Sequence, residues 1–115
     1  MLDEVLNDEG HTALMICCFR NDHEGARLLI RAGAAVDDED NDGHTALMGA
    51  CEFGGNECAQ VLIDAGAVVN KENKDGRTAL MAACASGHHD CAQALIDAGA
   101  VVNKEDNNGR TRSCG

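Results

Sequence analysis

The 115 residues suffice for one domain. Aromatic residues make up 2%, proline is absent, and the apolar share of 44% comes mainly from small and aliphatic side chains, a composition suited to thin, closely stacked helices and adverse to large buried pockets. A formal net charge of −11, with a pI near 4.6, sets a repulsive field against any phosphate backbone, so nucleic acid is disfavoured as a partner and basic or mixed-charge protein surfaces are favoured.

At the N-terminus, residues 1–6 (Met1-Leu2-Asp3-Glu4-Val5-Leu6) match no later stretch and are expected to form a stub. Residues 1–30 contain no basic flank running into an apolar stretch, and no segment reaches the ~18 apolar residues needed to span a bilayer. A soluble protein with no membrane partner is therefore expected. The seven cysteines are an odd number without an export signal, which points to reduced thiols in the cytoplasm or nucleus.

From residue 7 a 33-residue period takes over. Gly10, Gly43, Gly76 and Gly109 keep that spacing, and Thr12-Ala13-Leu14-Met15 recurs at Thr45–Met48 and Thr78–Met81. The copies are 7–39, 40–72 and 73–105, followed by a truncated fourth at 106–115. In each copy the Thr is placed to cap a first helix. That helix ends at Gly54 or Gly87, residues free to turn left-handed, and at Asn21 in copy one, the other residue type that adopts this conformation readily.

A second helix follows through Ala26, Leu29 and Ile30, repeated at Ala59, Leu62 and Ile63 and at Ala92, Leu95 and Ile96, and it stops at Gly33, Gly66 or Gly99. The link from Ala67 to Gly76 closes on turn residues and suits a projecting hairpin-like loop. The pattern predicts an all-α solenoid of helix-turn-helix units, each needing its neighbours to cover its apolar flanks.

The 33-residue period, the Asp/Asn-x-x-Gly-x-Thr-x-Leu opening, the helix-ending Gly54 and Gly87 and the Gly-Ala-x-Val-Asn close at Gly66–Asn70 and Gly99–Asn103 together resemble the ankyrin repeat family over residues 7–112. Thr-Ala-Leu-Met replaces the family's usual Thr-Pro-Leu-His in all three copies, losing the preset proline and a histidine that typically bonds to neighbouring loops. Met15, Met48 and Met81 are expected to pack in that column, with a looser stack as the result.

The resemblance implies a protein-binding face made of loops and first helices. Its matching positions are His11, Phe19 and Arg20 in copy one, Asn41, Asp42, His44, Glu52 and Phe53 in copy two, and Lys74, Asp75, Arg77, Ala85 and Ser86 in copy three. Copies two and three share 23 of 33 residues, and several differences (Asn41/Lys74, His44/Arg77, Glu52/Ala85, Phe53/Ser86) fall on that face while Leu47/Leu80 and Leu62/Leu95 stay fixed. Both phenylalanines lie there, either as anchors for a partner or partly buried under a neighbouring loop. The resemblance also marks Asn70 and Asn103 as matches to a loop asparagine that some members carry hydroxylated.

Five acids in six residues at Asp37–Asp42 could grip a basic peptide or form a solvated turn; a calcium loop of the EF-hand type fails because Gly49 stands where its Glu is required. Cys51 and Cys58, or Cys84 and Cys91, could approach each other within one repeat, while Cys84, His88, His89 and Cys91 fit no standard zinc spacing. No catalytic constellation appears, so neither enzyme activity, metal nor cofactor is expected. The ragged ends predict marginal stability or weak end-to-end self-association through an uncovered flank of copy three formed by Leu80, Met81, Ala92 and Leu95. The expected function is a non-catalytic adaptor or scaffold. The alternatives are an accessory fragment of a larger ankyrin-containing protein and a thiol- or metal-responsive protein.

Overall fold

The computed structural model describes residues 4–102. These form α1 (Ala13–Phe19), α2 (His23–Arg31), α3 (Ala46–Phe53), α4 (Asn56–Asp64), α5 (Ala79–Ser86) and α6 (His89–Asp97), and no strand occurs among them. Each repeat contributes one antiparallel pair. The first helices α1, α3 and α5 stack into one layer and the second helices α2, α4 and α6 into another. The truncated fourth copy (106–115) and Asn103 lie outside the described residues.

Local chemistry sets the boundaries. Thr12, Thr45 and Thr78 are extended, and each hydroxyl accepts the backbone N–H of the methionine three residues on, at 3.4 Å. In α1 the Met15 sulfur also accepts the Thr12 N–H, closing a reciprocal cap. The methionines are thus packing residues and cap partners at once, 1–4% exposed. Gly54 and Gly87 are left-handed at φ 78° and 76°, and Asn21 takes φ 53° at the matching point, as its residue type permits.

The core is a shared seam. Leu14, Leu47 and Leu80 run through the first helices and Leu62 and Leu95 through the second, each 0–1% exposed. Each such side chain contributes about 1.5–3 kcal/mol of burial. Leu80, Met81, Ala92 and Leu95, expected as an open flank, are 1%, 3%, 3% and 0% exposed. They are buried, so they do not form an open flank; among the described residues the exposed large apolar side chains at that end are Ile96, Val101 and Val102.

The repeats are also laced laterally. Asn7, Asp40 and Asn73 open the three turn loops, and in each a single Oδ1 accepts two backbone N–H groups, two and four residues on, at 2.9–3.1 Å. Adjacent turn tips are joined by Asn41 N–H to Glu9 O and Lys74 N–H to Asp42 O, at 3.0 and 3.1 Å. His88 Nδ1 reaches Cys51 O at 2.9 Å, and the Asp37 and Asn70 side chains accept the Val68 and Val101 N–H groups at 2.9 and 2.8 Å. Side chains other than the absent Thr-Pro-Leu-His histidine therefore supply bonds between repeats.

Two cysteine pairs bridge adjacent repeats. The Cys18 thiol donates to Cys58, whose own thiol points to Cys17 O at 3.9 Å; Cys51 donates to Cys91, which donates to Asn56 Oδ1 at 2.8 Å. Burial pushes the Cys18 and Cys58 thiols up, the donated bond to Cys91 pushes Cys51 up, and receiving that bond holds Cys91 down. Cys17, Cys18, Cys51, Cys58 and Cys91 are free thiols.

Candidate protein-binding face

Two hollows open along the first-helix layer beneath the turn loops. The one between repeats 1 and 2 encloses about 270 Å³ and takes His11 and Phe19 from the first repeat and Asp42, His44, Glu52 and Phe53 from the second. The one between repeats 2 and 3 encloses about 280 Å³ and takes His44 and Glu52 together with Asp75, Arg77, Ala85 and Ser86. Ten of the thirteen positions named from the sequence are thus brought onto two adjoining hollows. Arg20, Asn41 and Lys74 line neither.

The aromatic groups of the first hollow are in contact. The His11 and Phe19 rings meet edge to face at 4.8 Å, and Phe19 meets Phe53 the same way at 5.7 Å. The two phenylalanines differ in role. Phe19 is half-buried and its ring edge fills the space over Gly49, where a Cβ would fall 2.0 Å from the ring; Phe53 is 61% exposed. Packing explains the first, and nothing among the described residues covers the second.

The acidic loop is partly committed inside the fold. Asp37 accepts the Val68 N–H, Glu39 pairs with Lys71 at 2.8 Å, and Asp40 holds its own turn. Asp40 has a 6% exposed side chain; its Oδ1 takes the Asp42 and His44 N–H groups while Oδ2 faces His11 Nε2 at 3.4 Å and His44 Nδ1 at 3.5 Å. Asp40, Asp42 and His44 each place one potential ligand atom within 4.8 Å of the others, but Asp40 already serves the turn and Asp42 stands in solvent. Cys84, His88, His89 and Cys91 form no such group among the described residues: His88 is turned to Cys51 and Cys91 to Asn56.

Outside the hollows, Asn41 bonds Asp8 O at 2.7 Å and is part of the loop lacing, and Arg20 closes the end of α1. Glu9, Gly49 and Asn73 line the hollows without having been singled out. Glu9 was findable, because it occupies the same place in its repeat as Asp42 and Asp75. Gly49 was not, since the ring that fills its missing side chain comes from thirty residues earlier.

The ankyrin repeats family model matches residues 2–73 and 66–112 in three copies, so the chain belongs to the ankyrin repeat family. Ankyrin repeats generally mediate binding between proteins. No curated protein matches the chain. No helix among the described residues is long and apolar enough to cross a membrane.

Proposed function

We propose that this chain is a non-catalytic adaptor or scaffold that holds a partner protein against the hollows of its first-helix layer. The observation that carries this is the rim of the first hollow, where Phe53 stands 61% exposed beside the acids Asp42 and Glu52. A large exposed aromatic on a concave surface is a frequent anchor of a protein interface. The chain's negative field would draw in a basic or mixed-charge partner.

A photo-crosslinking residue placed at Phe53 or Ser86 is expected to capture a partner from the native cell, and the same residue at Gln60 or Gln93 on the second-helix layer is not. Capture from the second-helix layer alone would place the interface elsewhere.

A further inference from the structure

The two hollows differ in one respect that points to the chemistry of the ligand. The second is supplied with a cation of its own, Arg77, beside Glu52 and Asp75. The first is lined by the carboxylates of Glu9, Asp40, Asp42 and Glu52 and by the rings of Phe19 and Phe53, and no Lys or Arg lines it among the described residues. His44 occupies the place that Arg77 takes one repeat later.

Resting on the concave-face reading above, we propose that the first hollow is an arginine-binding pocket, which receives one arginine side chain of the partner protein. Its volume of about 270 Å³ equals roughly nine groups the size of a water molecule, ample for that side chain. A guanidinium is flat and weakly hydrated, so it can lie against the Phe53 ring while its N–H groups point to carboxylates in different directions. Asp42 stands on a turn loop and Glu52 on α3, giving acceptors from two different elements, while Glu9 and Asp40 already face His11 at 3.5 and 3.4 Å. A lysine ammonium is a compact, strongly hydrated charge that is harder to desolvate against the ring face and reaches fewer of the spread acceptors.

The internal repeats supply variants that the fold already accommodates. Glu52→Ala and His44→Arg each install the residue found at the same place in repeat 3, the second setting a guanidinium at the mouth of the hollow. The probe is a short Gly/Ser peptide with one central arginine, titrated into the isotopically labelled chain and followed by amide chemical shifts. Matched peptides carry citrulline, the neutral isostere, or lysine.

The arginine peptide is expected to move the amides of Gly49, Glu52 and Phe53, with citrulline and lysine at least ~10-fold weaker, Glu52→Ala weakened ~5-fold or more, and His44→Arg unresponsive. Losses of that size correspond to one charge-assisted contact. Equal response to citrulline, shifts confined to other surfaces, or no response to millimolar arginine peptide would overturn the assignment. If the crosslinked partner depends on Phe53 yet binds Glu52→Ala and His44→Arg normally, the concave face stands and the arginine pocket falls.

Discussion

Gly49 sits mid-helix, where glycine costs about 0.5–1 kcal/mol relative to alanine, yet the position is occupied by the Phe19 ring. Gly49→Ala, stabilising on helix propensity alone, is therefore expected to lower stability by about 1–3 kcal/mol through overpacking, measured by urea unfolding. In a Phe19→Ala background the same change should become neutral or stabilising; equal costs in both backgrounds would show that the ring is not docked there. The sequence carried both residues in plain view. Their meeting was not legible, because repeat comparison aligns Gly49 with Ile16 and Ala82 and makes its smallness look like drift.

At the scale of elements, the end of α1 is clasped to the start of α4. Asn21 donates to Glu57 Oε1 at 2.7 Å and accepts the Cys58 N–H at 3.3 Å, and the donated bond lowers the Glu57 carboxyl below its ordinary 4.5. A depressed carboxyl stabilises the fold above its unfolded value and loses that contribution as pH falls through the folded one. The melting-temperature gap between wild type and Glu57→Gln should be present at pH 7 and close as the pH falls from 4.5 through the lowered folded value. A gap that persists in acid would assign the loss to something other than charge.

The turn loops give a second test at this scale. Asn73→Ala leaves two N–H groups without their acceptor and should cost about 1 kcal/mol, whereas Asn73→Asp should be nearly neutral, since Asp40 performs the same task one repeat earlier. Helices, caps and left-handed stops were legible in the sequence because each depends on residues within a turn of one another. The cysteine relays were not, because Cys18 meets Cys58 and Cys51 meets Cys91 across forty positions and two repeats. The flank expected from Leu80, Met81, Ala92 and Leu95 failed for a related reason: helical periodicity marks an apolar stripe without saying which neighbour it faces.

For the molecule as a whole, a net charge of −11 on 115 residues means that self-repulsion opposes compaction. Raising NaCl from 20 to 300 mM should raise the melting temperature while weakening partner capture, since the Debye length contracts across that range to less than about 10 Å. A salt effect of the same sign on both would contradict the electrostatic account. The buried thiols act at the opposite pH limit. With Cys18, Cys51 and Cys58 raised from 9.0, their contribution is complete below pH 9 and declines above it, as the unfolded chain ionises first. Replacing Cys18 with Ala should flatten the fall in melting temperature between pH 8 and pH 10.

The lacing of Asn41 to Glu9 and of Lys74 to Asp42 makes the tips a ruler. Stacked helices set a step of about 8–10 Å from one tip to the next, and a polyproline II peptide advances about 3.1 Å per residue with three residues per turn. Such a peptide laid along the tips would therefore present every third side chain to an equivalent position. Because that interval is fixed by backbone bonds, selectivity resides in which residue stands at each graduation: a motif with its recognised side chains two or four apart would fall out of step, however well its composition matched.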